Sequence, residues 1–194
     1  VTTYARAKTI VQKSLGDLKA IRAAGLDRLH VGLESGDDEV LHKVRKGATA
    51  EIHIEGGRKA LAAGFQLSEY WMPGLGGKAL WEQHARNTAR VLNEIDPHYI
   101  RSRPMRPWPG TPLAREAADG AFEMLTPAGQ LRELRLTMAE LSVTGRVCFD
   151  HAGNYWKNSR GRHLFSHSYE GYRFPQEKQL VLDLIDEGLK VGGQ

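Results

Sequence analysis

The chain has 194 residues, 41% of them hydrophobic and 26% charged, with a formal net charge of +4. That balance is enough for a buried globular core and excludes an intrinsically disordered chain. A single cysteine, Cys148, excludes an internal disulfide framework and fits a reducing compartment. No apolar run approaches the length of a membrane span, and no basic segment followed by an apolar stretch opens the chain, so a cytoplasmic protein with no membrane association is expected. The isoelectric point near 9.2 is mildly basic and the charges are mixed along the chain, which supports a nucleic-acid partner only weakly.

In chain order, residues 1–6 (VTTYAR) alternate in polarity and read as the end of a β-rich segment, so the sequence is expected to be the C-terminal part of a longer protein. Ser14 is placed to cap a helix carrying Leu15, Leu18 and Ile21, with Asp17 three residues on and Gly25 just past its end. Residues 28–34 (RLHVGLE) form the next strand candidate. Asp37, Asp38 and Glu39 then open a helix that Lys43, Arg45, Lys46 and Gly47 close, as the helix dipole and C-cap rules prefer. Thr49 opens a helix that runs to Gly64, residues 65–72 (FQLSEYWM) form a third strand, and a helix from about Leu80 stops before Pro97. Residues 98–103 (HYIRSR) are the fourth strand. Strands and helices thus alternate at roughly 30 residues, the mark of βαβ units on a parallel sheet.

Past PMRPWPGTPL, residues 104–113, the pattern changes. A short helix to Gly120, a helix with Thr126 as cap and Pro127 in its first turn, a brief β-like GRVCF, a loop rich in Gly, Asn and Ser, and a last helix to Lys190 follow. Residues 1–113 are therefore expected to form a partial α/β barrel or sheet, and residues 114–194 a mainly helical C-terminal extension.

Strand parity bears on function. His30, Gly32 and Glu34 share one face, opposite Leu29, Val31 and Leu33, and the same polar parity joins Thr2, Tyr4 and Arg6; Gln66, Ser68 and Tyr70; and Tyr99, Arg101 and Arg103. Ser102 and Glu69 break it. A closed barrel fills its interior with branched apolar side chains, so a polar inner face points to an incomplete or ligand-filled barrel, with a sheet wetted on one face as the alternative. MPGLGG, residues 72–77, is a strand-to-helix turn whose N–H groups suit an anion, an adenine edge or a carboxylate, and equally a plain tight connection. Arg101, Arg103 and Arg106 lie at or beyond the end of the fourth strand, where α/β folds place ligands. FDHAGN, residues 149–154, puts Asp150, His151 and Asn154 in one polar loop, read either as a turn network or as part of a site. His163 and His167 have metal-compatible spacing with no third ligand in view. Cys148, between Val147 and Phe149, reads as a small buried hydrophobe.

Taken together, TTYARA, AGLDRLHVGLESGDDEVLHKVRKG, LSEYWMPGLGG and PHYIRSRPMRPWPGTPL resemble the later strands of a radical S-adenosylmethionine (SAM) enzyme. The likeness is to the branch with oxygen-independent coproporphyrinogen dehydrogenase and the radical tRNA-modifying enzymes, and to small bacterial radical SAM proteins; it covers most of residues 1–143, and DHAGN with FPQEKQLVLDLIDEGL extends it. The resemblance implies an open (β/α)6 barrel with SAM across the C-terminal strand ends. It also implies a [4Fe–4S] cluster on a CxxxCxxC loop that reduces SAM to a 5′-deoxyadenosyl radical, and an electron donor for the full-length enzyme.

By the same resemblance Glu34 would bind the ribose hydroxyls, Ser35 would neighbour the cofactor, Lys46 would reach the methionine carboxylate, Tyr4, Arg6 and Tyr70 would line the site, and Gly74, Leu75 and Gly76 would pack on adenine. Arg101, Arg103, Asp150, His151 and Asn154 fall on the substrate side, and no residue is assigned to catalysis. The chain departs from the family in its cysteines: three thiolates are needed and one is present, so the cluster ligands lie outside this sequence and the chain alone is expected to be inactive. The alternative is a non-catalytic module that binds a nucleotide-like ligand or a partner.

Overall fold

The strand and helix rhythm is present in a computed structural model that describes residues 1–192. Strands β1 (Thr2–Ala5), β2 (Arg28–Glu34), β3 (Gln66–Trp71), β4 (Tyr99–Ser102) and β5 (Arg146–Cys148) pair in that order and all in parallel, and β6 (Tyr172–Arg173) closes the row antiparallel to β5. The sheet is open: β1 and β6 each pair on one side. Between the strands run α1 (Ala7–Gln12), α2 (Leu15–Ala23), α3 (Asp38–Lys43), α4 (Ala50–Ala62), α5 (Gly77–Ile95), α6 (Pro112–Ala118) and α7 (Pro127–Glu140), and α8 (Lys178–Lys190) ends the described chain.

The helix starts follow their side chains. Ser14, Asp37, Thr49, Thr111 and Thr126 each accept a hydrogen bond from the backbone N–H three residues on, satisfying a donor that the first turn leaves without a partner. Helix α5 starts at Gly77, earlier than the apolar stripe from Leu80 requires, because the glycine turn itself winds into the first turn. Helix α1 has no such cap and no amphipathic signal of its own; its buried Ala7 and Ile10 pack it down instead, against α4.

One hydrophobic core lies on the helical side of the sheet. It joins Leu29, Val31 and Leu33 of β2, Leu67 and Trp71 of β3, Ile100 of β4 and Val147 of β5 to residues of α4, α5, α7 and α8. A boundary at residue 113 therefore coincides with no break in sheet or core. Residues beyond it add β5 and β6 to the sheet, and α7 packs on α5. Residues 150–170 contain no helix; Asp150 and Tyr169 meet Arg101 on the opposite, polar face of the sheet, while Trp156, Leu164 and Phe165 join the core. A second, smaller apolar cluster of Val40, Leu75, Met105 and Phe122 sits near the C-terminal strand ends.

Candidate functional site

Register brings the polar parities together. Tyr4, His30, Ser68 and Tyr99 stand side by side across β1 to β4, as do Gly32, Tyr70 and Arg101 one step further toward the C-terminal ends. The rings of Tyr4, His30 and Tyr70 lie within 5.4–6.1 Å of one another, and Tyr70 Oη sits 3.1 Å from Nδ1 of His30. Burial, and then the nearby Arg101, pulls the His30 pKa below its ordinary value, while burial and the bond to Tyr4 push the Tyr70 phenol up to about 12. Both groups are thus neutral at pH 7.

At the strand ends this face opens into a cavity of about 410 Å³, whose walls include Tyr4, Gly32, Glu34, Lys46, Tyr70 and Met72, closed on the far side by Arg103, Arg106 and His151. Glu34 is built into it at a cost. Its φ is +64°, in the left-handed region, where a non-glycine residue carries on the order of 1–2 kcal/mol of strain. The β2–β3 register slips at this point, with Gly32 opposite Tyr70 and Glu34 opposite Trp71, and the Glu34 carbonyl is held by the Met72 N–H at 2.9 Å. The bulge turns the carboxylate back over Gly32: a Cβ at residue 32 would stand 2.1 Å from Oε1 of Glu34, so only glycine leaves room for this conformation. Lys46 Nζ meets the same oxygen at 3.3 Å, with both side chains about one quarter exposed. The carboxylate and the ammonium are thus adjacent and reachable from solvent.

Two further cavities adjoin this one. The first, about 420 Å³, shares Met72 and Arg106 with it and is mainly apolar, with Val44, Leu75, Met105, Trp108 and Leu113 in its walls. The second, about 610 Å³, shares Gly32 and Lys46 and is lined by Arg6, Lys8, Arg45 and His53. His53 is fully buried with neither ring nitrogen bonded; burial first, then the Lys46 charge, lowers its pKa to about 4. Glu69, the exception to strand parity, points into the core side without a partner for either oxygen. Burial, reinforced by the Glu34 charge, raises its pKa well above the ordinary carboxylate value.

The glycine turn is engaged by α7. Gly74, at φ +90°, donates its N–H to Glu133 Oε2 of α7 at 2.5 Å, and a Cβ there would meet Nε2 of Gln130 at 2.8 Å. The other Glu133 oxygen bonds Nδ1 of His84 on α5, and both side chains are fully buried. Leu75 packs in the small apolar cluster and borders the apolar cavity, whereas Gly74 and Gly76 line neither cavity that holds Glu34 or Lys46. Sequence reasoning missed Glu133 and His84. The available signal was a polar residue on the buried stripe of each helix, Glu133 between Gln130 and Thr137 and His84 beside Ala85.

Several expected site residues are engaged within the fold. Ser35 is buried and accepts the Asp37 N–H at 3.0 Å. Arg101 is 1% exposed and is consumed by Ser68 Oγ (3.2 Å), Asp150 Oδ1 (2.8 Å) and the Tyr169 carbonyl (3.2 Å). Asn154 clamps the end of β4, accepting from Ser102 Oγ at 2.9 Å and donating to the Ser102 and His151 carbonyls. Arg101, Asp150 and Asn154 thus fasten residues 150–169 to the sheet. Arg6 is exposed and starts α1. His163 and His167 lie in a loop with ring centroids 4.6 Å apart, and His167 Nε2 is 3.1 Å from the Asn154 carbonyl. Cys148 is buried at the foot of the polar face, where desolvation raises its thiol pKa to about 11.

Residues 8–86 match the family described as the Radical SAM superfamily. The fold is similar to that of Elp3 from the archaeon Methanocaldococcus infernus, with TM-score 0.63 and 16% identity over 100% of this chain and 42% of that one. It is similar also to coproporphyrinogen III oxidase (HemN) from Escherichia coli, a radical SAM enzyme, with TM-score 0.55 and 20% identity over 71% of this chain and 31% of that one. A third similar structure is methylornithine synthase (PylB), with TM-score 0.51 and 20% identity over 73% and 39%. The chain spans less than half the length of each of these structures. No curated protein matches it.

Proposed function

We propose that this chain, whose residues 8–86 match the radical SAM superfamily, belongs to that superfamily and supplies the SAM-holding part of a radical enzyme. The observation that carries this is the Glu34–Lys46 pair on the glycine floor of the cavity. SAM offers a ribose diol for a carboxylate, a carboxylate for an ammonium and a flat adenine for an apolar wall, and these three receptors adjoin one another here. Glu34 would accept from the ribose hydroxyls, Lys46 would pair with the methionine carboxylate near Arg6, and Met72 and Leu75 would border adenine in the apolar cavity. The strained Glu34 backbone fits this role, since strain of this kind clusters at ligand sites.

The residues present do not fit the [4Fe–4S] cluster. Its three thiolates cannot come from one buried cysteine on β5, and among the described residues no group of three metal-ligating side chains is assembled. The proposal is therefore that cluster ligands and electron delivery come from residues outside this chain. The free outer edge of β1 supports this, because its backbone groups and the 70% exposed Tyr4 can take another strand. SAM bound here and reduced by such a cluster would supply a 5′-deoxyadenosyl radical for hydrogen abstraction. Without the cluster, the chain by itself binds and orients the cofactor and does not cleave it.

Calorimetric titration with S-adenosylhomocysteine tests the reading. Saturable binding is expected, weakened about tenfold in Glu34→Gln and in Lys46→Met, the loss appropriate to one charge-assisted hydrogen bond. Affinity unchanged by both substitutions would remove the pair from the cofactor and leave the chain as a module for some other ligand.

A further inference from the structure

The charges of the cavity do not balance. Glu34 and Lys46 neutralise each other, while Arg103 and Arg106 line the opposite wall and neither has a carboxylate within 4 Å among the described residues. The other arginine of the strand shows what a satisfied one looks like here: Arg101 is enclosed by a carboxylate, a hydroxyl and a carbonyl. Arg103 has none of these. Its guanidinium lies 4.0 Å above the Tyr70 ring, and its Nε is buried without an acceptor, a group that natural proteins rarely leave unpaired. Arg106 lies 4.5 Å above the Tyr155 ring and is otherwise exposed.

Each guanidinium thus sits over an aromatic face, which locates its charge and leaves N–H groups for a ligand. The backbone fixes the base of the first: Arg103 N–H bonds the Trp71 carbonyl at 2.9 Å and Met105 N–H bonds the Pro73 carbonyl at 2.8 Å, so β4 continues past Ser102 and keeps Arg103 on the polar face. His151 closes the same wall. Its ring is kept neutral by partial burial and by the Arg103 charge, and its Nδ1 is occupied by the Gly153 N–H at 3.1 Å, so Nε2 carries the proton and is a donor.

We propose that Arg103 and Arg106, with His151 as a further donor, form an anion-receiving pole of the cavity, and that the substrate is a small molecule bearing a carboxylate or phosphate group. The pole rests on the geometry above; only its assignment to the substrate rests on the SAM reading, in which Lys46 already serves the cofactor's own carboxylate. A small molecule fits better than a nucleic-acid strand. The two arginines stand together at one wall of a cavity of about 410 Å³, whereas a strand is tracked by cations spread along a groove.

The test is calorimetric titration of the chain, saturated with S-adenosylhomocysteine, with inorganic phosphate and separately with succinate. Saturable binding of one or both probes is expected, with the stronger naming the group. Arg106→Gln and Arg103→Gln should each weaken it about tenfold, and Arg106→Lys should recover part of the loss. Their affinity for S-adenosylhomocysteine should fall much less than their affinity for the anion probe. Arg106 is exposed, so its variants keep the test valid even if Arg103→Gln fails to fold. Binding of neither anion, binding indifferent to Arg106, or binding only in the absence of S-adenosylhomocysteine would overturn the proposal, the last by identifying the pole with the methionine carboxylate site. If S-adenosylhomocysteine does not bind but the anions do, through these arginines, the cofactor reading fails and the anion pole stands.

Discussion

Arg101 and Arg103 are two residues apart on one strand, point to one face and carry the same charge, yet they belong to two different regions. The first lies in a floor, where Arg28, Tyr99, Arg101 and the loop from Asp150 to Tyr169 close the polar face with cation–π contacts of 3.7–5.6 Å and an ion pair. The second lies in a mouth, where Glu34, Lys46, Arg103, Arg106 and His151 surround open volume. In the floor every strong donor has an acceptor within the chain. In the mouth donors outnumber acceptors. Polar residues on an inner face can thus be structural or ligand-directed, and what separates the two is whether another part of the chain has already satisfied them.

The sharpest way to break this comparison is to truncate one residue from each region. Arg101→Ala would leave Asp150 without its cation in a largely buried setting and release the Tyr169 carbonyl, so about 3–5 kcal/mol of stability should be lost in urea denaturation. Arg106→Ala should cost under about 0.5 kcal/mol. Similar losses in the two variants would erase the distinction.

Next in size is a pH effect on the cationic side of the mouth. His53 has a folded pKa of about 4 against about 6.5 when unfolded, so the unfolded chain binds more protons between those values. The stability associated with neutral His53 is fully present above pH 6.5 and is lost as pH falls from 6.5 through 4, by up to about 3 kcal/mol. The difference in stability between the parent and His53→Gln should shrink or reverse over that window; a constant difference from pH 7 to pH 4 would refute the assignment.

The comparison is sharpened by Glu133, which touches neither the mouth nor the floor but holds the turn that carries Leu75. Glu133→Gln should weaken S-adenosylhomocysteine about fivefold through the loosened Gly74 turn, on the order of 1 kcal/mol. An unchanged affinity in a folded variant would confine Glu133 to packing. The smallest effect expected is a chemical one in the floor: Cys148, buried and with its thiol pKa near 11, should react with iodoacetamide at pH 8 only as fast as the protein opens, and mild urea should release it. Rapid alkylation of the folded protein would show the floor to be open.

Much of the frame was legible in the sequence. Period-2 alternation located β1 to β4, side-chain caps located α2, α4 and α7, an apolar stripe ending before Pro97 located α5, and the isolated Glu34 between a strand and a self-sufficient helix marked the place of the cavity. These features are written within a few residues of one another, so local chemistry suffices to read them. The helix α1 escaped because nothing local caps it, and its packing on α4 is what holds it.

What the sequence by itself determined, then, was the α/β alternation, the polar parity of the inner face and the glycine that frees Glu34 to turn back. Only the tertiary structure decided which polar residues remain available. Asp150 reaches Arg101 across 49 positions and Glu133 reaches Gly74 across 59, and each such contact consumes hydrogen-bonding capacity that parity alone counts as free. Direction along a strand is a local property, fixed by the backbone period. Satisfaction of a buried polar group depends on which distant segment folds against it, and that is why Arg101 and Arg103 could be placed together from the sequence and told apart only in three dimensions.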